Sequence, residues 1–287
     1  MRLFSKLLNQ NRLTRYLKNR RNGLMNFYFL KRSSRSSQFI LSKLQNTRNI
    51  VFSIAFNKPE CVKVMLLAWK KYAENTQLVI IDNSSDSNAR SQIKELCYAN
   101  RNLYLALPTN PEWHPNRSHA LAMNWVFYNI VKECKPIHFG YLDHDCFPFN
   151  NFDLNKKMNE FFIYGEKRIS EKHSELWNLW AGFCFFNYGF TQSQGGKLNF
   201  LHSIELGLDT GGSNWRSLYR NIPNENCLFS NSLKKRLVDE NGTLTDFGMM
   251  DNFVHFGSGS RNDKGNLISL RKYQFVLSQL NDPEPRC

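Results

Sequence analysis

Between residues 49 and 145 the chain alternates short β-branched or aromatic runs with longer stretches of helical spacing, and that alternation limits the fold more than any other feature. "NIVFSIAF" at 49–56 reads as a buried strand, and Pro59 and the helically spaced "ECVKVMLLAWKKYAE" follow it. "TQLVIIDNSSD" is a second buried strand that runs out into turn residues, "SNARSQIKELCYA" a helix and "RNLYLAL" a third strand. "NRSHALAMNWVFYNIVKEC" is a long helix and "PIHFGYLDHD" a fourth strand; between these and the third strand, "PTNPEWHP" is too proline-rich for regular structure. Continuous apolar strands, each separated from the next by a helix, predict an α/β domain with a mostly parallel central sheet and flanking helices.

With 287 residues the chain is long enough for one large domain or two small ones. Its seven cysteines are odd in number and contain no Cys-x-x-Cys pair, which fits reduced thiols rather than a disulfide framework or zinc ribbon.

Charge divides the chain. The net charge is +14, yet residues 1–48 hold twelve of the 38 Lys and Arg and no acidic residue, so 26 basic residues face all 24 acidic ones in the remainder. A sequence pI near 9.5 invites a nucleic-acid-binding reading. A nearly neutral body with clustered carboxylates argues against it, and no nucleic acid is expected as partner. Within 1–48, Leu3, Phe4, Leu7, Leu8, Leu13, Tyr16 and Leu17 recur at helical spacing among Lys6, Arg12, Arg15, Lys18, Arg20 and Arg21, with "SSRSSQ" as a break. This predicts a basic amphipathic segment, 1–48, ahead of a body at 49–287, and attachment of 1–48 to an anionic membrane surface. A basic tail, or a helix packed on the body, is the alternative. No apolar run approaches the roughly 20 residues that span a bilayer, and the start lacks a signal-peptide core. The expectation is a cytoplasmic chain, peripheral on the inner face of the membrane.

Two strand ends carry carboxylates: Asp82 after "LVII", and Asp143 with Asp145 after "FGYL". Like charges one residue apart are costly unless something positive lies between them. In an open parallel α/β sheet, ligands bind outside the carboxyl ends of the strands, where side chains from separate strands converge. Hard carboxylate oxygens there suit Mg²⁺ or Mn²⁺, which commonly also binds substrate phosphates. His144, between the two, is expected to face away, since alternate residues of an extended segment point to opposite sides.

From about 49 to 150 the chain resembles a family 2-type glycosyltransferase with a GT-A fold, a Rossmann-like architecture. The resemblance lies in the order of Asp82-Asn83-Ser84-Ser85-Asp86 after the second strand, "NRSHALAMNW" with Asn116 and Asn124, and Asp143-His144-Asp145 after the fourth strand. Ser118 stands where that family usually has Gly. The resemblance implies a nucleotide-sugar-binding half at 49–150 and an acceptor half at 151–287. It implies a nucleotide-diphosphate sugar donor and a glycan, lipid-linked or small-molecule acceptor. It also implies Asp82, Asn116, Asn124 and Asp143 on the nucleotide, Asp145 on Mn²⁺ or Mg²⁺ with Asp143, and an inverting transfer. Asp82 as a turn residue and Asn116 as a helix N-cap remain the plainer readings.

An inverting transfer needs a carboxylate to take the acceptor proton. In the second half, "LGLDTGGSNWRSLY" offers Asp209 before a Gly-Gly turn and an expected helix, with Glu205 and Asp251 as rivals. "VHFGSGSRND" places His255 beside Gly257, Ser258 and Gly259; the imidazole is a candidate third metal ligand and the loop a candidate phosphate cradle, against a purely structural histidine. Trp177, Trp180, Phe183, Phe185 and Phe186 read as core or as an acceptor pocket, and Asn241-Gly242 as a hairpin turn. A nucleotidyltransferase is the rival enzyme class, but the residues after the first strand, "IAFNKPECV", lack the glycine-rich loop expected of one.

Overall fold

The computed structural model describes residues 11–238, 244–257 and 270–280. In chain order its elements are α1 (Arg12–Leu30), α2 (Ser37–Leu44), β1 (Asn49–Ala55), α3 (Pro59–Tyr72), β2 (Ala73–Glu74), β3 (Gln77–Asp82), α4 (Ser87–Ala99), β4 (Leu103–Ala106) and α5 (Pro115–Val126). A π turn (Phe127–Val131) carries α5 into α6 (Lys132–Cys134). Then come β5 (His138–Asp143), β6 (Cys146–Pro148), β7 (Phe152–Asp153), α7 (Leu154–Lys157), β8 (Ile163–Ile169), β9 (Trp177–Asn187) and α8 (Tyr188–Ser193). β10 (Cys227–Phe229), β11 (Ser232–Val238), β12 (Leu244–Met250), β13 (Phe253–His255) and α9 (Leu270–Leu280) complete the chain.

The main sheet runs β10-β8-β9-β5-β1-β3-β4. β1 pairs in parallel with β3 on one side and β5 on the other, β4 is parallel to β3, and β9 alone opposes its neighbours β5 and β8. This is the α/β fold with a mostly parallel sheet that the alternation predicts. Strand order reverses at β1: the chain winds outward through β3 and β4, then crosses back through α5 to β5. The carboxyl ends of β1 and β5 therefore flank the crevice at which such sheets bind ligands.

Every residue of β1 is buried, and its alternate side chains feed two cores. Ile50, Phe52 and Ile54 pack with Phe29 of α1, Ile40 and Leu44 of α2, and the inner face of α5. Val51 and Ala55 pack with Val62 and Met65 of α3, Ile93 of α4 and Tyr273 and Val276 of α9. Helices thus cover both faces. α1 and α2, from the basic segment, contribute buried side chains to the first core. Residues 1–10 lie outside the described residues.

Local chemistry sets several boundaries. Asp86 caps α4 by accepting from the Asn88 and Ala89 amides, an interaction typically worth about 1 kcal/mol. Gly140 of β5 pairs with Phe185 of β9, whose ring lies where a Cβ at residue 140 would stand. β11 and β12 pair antiparallel with Val238 opposite Leu244, while Asn241 and Gly242, where the hairpin turn is expected, lie outside the described residues. The helix expected after Asp209 is only a short 3₁₀ turn, Gly212–Asn214, and Gly211 before it has φ of 92°.

A second, antiparallel sheet runs β11-β12-β13-β6. Its strand β6 begins one residue after Asp145. β13 pairs with β6 so that His255 stands opposite Cys146, and the Phe256 amide donates to the Asp145 carbonyl at 3.1 Å. The two sheets therefore meet at the paired carboxylates.

Candidate active site

Asp143 is the last residue of β5, at the crevice, and Asp145 follows across a tight turn. Asp143, Asp145 and His255 each offer a ligand atom, and these atoms all lie within 4.8 Å of one another. His255 Nε2 is 3.5 Å from Asp145 Oδ1. On the other flank, His119 Nε2 of α5 is 3.5 Å from Asp143 Oδ1, within ion-pair range but without hydrogen-bond geometry. Imidazole therefore stands beside each carboxylate. Burial by itself would lower the pKa of His255, but the charge and hydrogen bond of Asp145, with the charges of Asp143 and Glu166, outweigh it and raise the pKa above the ordinary 6.5.

His144 turns away as expected: its Nδ1 meets the Ile54 carbonyl of β1 at 3.0 Å, tying the carboxylate turn to the neighbouring strand. Space in front of Asp143 depends on Gly182 of β9, because a Cβ there would lie 2.5 Å from Asp143 Oδ2 and inside the Trp180 ring. Trp180 stacks obliquely on His255, centroids 4.6 Å apart, and carries the Arg168 guanidinium 5.5 Å from its own ring centroid. Glu166 lies where the β8–β9 register shifts between Gly165 and Lys167. Such a bulge re-aims a side chain.

The donor set fits a hard divalent ion: two carboxylates and one imidazole. Ligands about 2.1 Å from an octahedral ion stand about 3.0 to 4.2 Å apart, so this set needs little closure. The room kept by Gly182 in front of Asp143 points the same way.

The other expected residues fall in several places. Asp82 is fully buried. Its Oδ1 accepts from the Ser84 amide at 2.8 Å and its Oδ2 from the Tyr104 hydroxyl at 2.7 Å, with Arg90 Nε at 3.8 Å. These bonds shape the turn at 83–86 at the carboxyl end of β3. Asn83, in that turn, donates to Ser118 Oγ at 3.0 Å, and Asn110 donates to both Asn83 Oδ1 and the Ser118 carbonyl at 3.0 Å. Ser118 thus serves as a polar hub between the β3 turn and α5. Asn116 is exposed in the first turn of α5; the N-cap is His114. Asn124 is fully buried away from the carboxylates, bonding Asn26 of α1, Asn199 and the Phe200 amide.

Asp209 is exposed, and its Oδ1 meets the Thr210 hydroxyl at 3.4 Å. Its charge is felt at His202, where burial first, then Arg117 and His114, lower the pKa against the pull of Asp209. The rivals are engaged elsewhere: Glu205 pairs with Arg216 at 3.0 Å, and Asp251 binds Tyr164, Lys157 and the Asn231 amide. Trp177, Phe183, Phe185 and Phe186 are core, and Trp180 alone of that set reaches the site. Gly257 has φ of 55°, while Ser258 and Gly259 of the expected phosphate cradle lie outside the described residues.

His119, Gly182 and Glu166 escape the sequence reading, and Trp180 enters it only as a core or acceptor-pocket aromatic. Of the first three, only His119 left a trace, as the residue after Ser118 in "NRSHALAMNW". The others sit on strands β8 and β9, which carry no residue motif.

No protein-family profile matches the chain, and no curated protein sequence matches it. Among solved structures, the chain is similar to S. aureus TarS (13% identity, TM-score 0.39, covering 59% of this chain and 33% of that one). It is also similar to the bifunctional glycosyltransferase WbbM (11%, 0.40, 64% and 39%) and to the mannosyltransferase PcManGT from Pyrobaculum calidifontis in complex with GDP-Man and Mn²⁺ (9%, 0.43, 75% and 65%). The chain spans between one third and two thirds of the length of these proteins.

Proposed function

We propose that this chain is a metal-dependent glycosyltransferase that moves a sugar from a nucleotide-diphosphate donor to an acceptor hydroxyl with inversion. One observation carries the reading: Asp143, Asp145 and His255 converge within 4.8 Å at the crevice between the carboxyl ends of β1 and β5. The family resemblance of 49–150 supports the same chemistry.

In this reading Asp143, Asp145 and His255 hold Mn²⁺ or Mg²⁺, which when bound supplies Lewis acidity that neutralises the departing diphosphate. Asp82 acts from behind, holding the 83–86 turn that receives the nucleoside. Asn116 borders the donor site from the first turn of α5, and Asn124 keeps that helix seated on α1. Trp180 walls the sugar side and, with Gly182, keeps the space before Asp143 open. Asp209, exposed on the acceptor side, takes the proton from the acceptor hydroxyl as its oxygen bonds to the anomeric carbon. The bond from that carbon to the diphosphate breaks, and the nucleoside diphosphate leaves.

A thermal-shift screen of nucleotide sugars tests the reading, because a ligand that binds only the folded state raises apparent stability by mass action. At least one nucleotide-diphosphate sugar stabilises the protein with Mn²⁺ and not with EDTA. Equal stabilisation in both, or none with any nucleotide sugar, contradicts it.

A further inference from the structure

Helix α1 has two faces. Asn22 and Phe29 are buried against the body, and Asn26 bonds Asn124. On the opposite side Leu13, Tyr16, Leu17, Leu24, Phe27 and Tyr28 are 51% to 66% exposed. At about 100° per residue these six fall within an arc of about 120°. Arg20 and Lys31 project from the middle of that arc, Arg20 5.9 Å from the Tyr16 ring centroid and Lys31 4.0 Å from that of Phe27. Single exposed apolar side chains are ordinary, but a contiguous stripe marks an interaction surface.

Charge decides the occupant. Residues 12–44 contain no Asp or Glu, so nothing on α1 or α2 offsets the cations of the stripe. A second copy of this chain, docked face to face, would bring the cations of one stripe against those of the other. An anionic bilayer surface takes both parts at one level: leucines and rings at the acyl boundary, cations among the phosphates. The same helix is clamped to the crevice. Arg21, at the edge of the stripe, donates to the buried Glu112 at 2.7 Å, and Arg32 donates to the Thr109 carbonyl at 2.6 Å. Both bonds hold the segment that leads into α5. Trp113, next to Glu112, is 82% exposed. No helix among the described residues is long and apolar enough to cross a membrane, so contact through α1 is interfacial.

We propose that α1 lies flat on an anionic lipid surface through the stripe centred on Arg20 and Lys31, and that this sets the crevice wall at the lipid boundary.

Vesicle sedimentation with the full chain tests this without reference to catalysis. The protein binds phosphatidylglycerol vesicles at low salt, releases them at high salt and ignores phosphatidylcholine vesicles. The triple variant Leu17→Ser, Leu24→Ser, Phe27→Ser loses binding by about tenfold or more while keeping its thermal unfolding temperature, since all three side chains are exposed. Arg20→Gln with Lys31→Gln, both at exposed positions, loses about tenfold on anionic vesicles at low salt. The proposal is overturned if the full chain stays in the supernatant with phosphatidylglycerol at low salt, or if both variants bind as tightly as the unaltered protein. It is also overturned if sedimentation velocity finds a dimer that the triple variant breaks, which would assign the stripe to a second copy.

Discussion

Asp145 and His255 belong to segments 110 residues apart, yet His255 Nε2 lies 3.5 Å from Asp145 Oδ1 because β13 pairs with the strand that begins just after Asp145. The antiparallel register, with His255 opposite Cys146, sets that distance. It also answers the electrostatic question raised by two carboxylates at one strand end: a histidine with a raised pKa lies against them. His255 thus lies where a cation between the carboxylates would find its third ligand, and the pairing of β13 with β6 holds it there.

The open space at the site depends on Gly182. A Cβ there would meet Asp143 Oδ2 and the Trp180 ring, neither of which can withdraw without disturbing the site. Gly182→Ala is expected to weaken Mn²⁺-dependent nucleotide binding by more than tenfold, while overpacking lowers stability by about 1–3 kcal/mol. Titration calorimetry beside chemical denaturation separates the two effects. Unchanged affinity would mean that the ligand does not use this space.

The three acidic candidates for the proton-accepting role separate by kinetics. Asp209→Asn is expected to leave donor affinity unchanged and lower turnover by about 10²–10⁴. Glu205→Gln removes an exposed pair with Arg216 and changes turnover little. Asp251→Asn perturbs bonds to Tyr164 and Lys157 and appears as lost stability rather than as a selective loss of turnover. Steady-state rates with matched donor-binding measurements check all three.

Glu112 ties α1 to the crevice wall, and its pH dependence is readable. Burial opposes its ionisation, but hydrogen bonds from Arg117, Arg21 and the His114 amide prevail and lower its pKa from 4.5 to about 2. A depressed carboxylate contributes stability above its unfolded pKa and loses it as pH falls toward the folded value. Glu112→Gln should therefore destabilise the protein at pH 7, with the gap to the unaltered protein narrowing from pH 5 toward pH 2. Denaturant unfolding across that range measures it; a gap independent of pH would mean that the carboxylate charge is not what stabilises the contact.

Much of the first half is legible in sequence because its strands are short apolar runs punctuated by helices. β1, β3, β4 and β5 fall within the runs that predict them, as does the turning away of His144. β9 is harder to read: it is buried on both faces, so eleven residues show no alternation, and its aromatic density passes equally for core or pocket. The convergence of His255 on Asp145 depends on a strand pairing over a long sequence separation, which no local pattern encodes. Asn124 shows the reverse difficulty. Its position in a motif suggests a ligand contact, while its three hydrogen bonds in the structure are spent on α1 and the 199–200 segment. Helix α1 illustrates both sides at once: the amphipathic spacing is plain in the sequence, but which face packs on the body is decided by Phe29 entering the first core, with Asn22 buried on the same side.

The central claim is that Asp143, Asp145 and His255 form one metal site that makes nucleotide binding possible. Calorimetry of UDP and GDP with the unaltered protein, with and without Mn²⁺, and with Asp145→Asn tests it most directly. The account predicts binding of at least one nucleotide diphosphate only when Mn²⁺ is present, weakened more than tenfold by Asp145→Asn, as expected for loss of a charged ligand. Equal affinity in EDTA, or full Mn²⁺-dependent affinity in the Asp145→Asn protein, would contradict it.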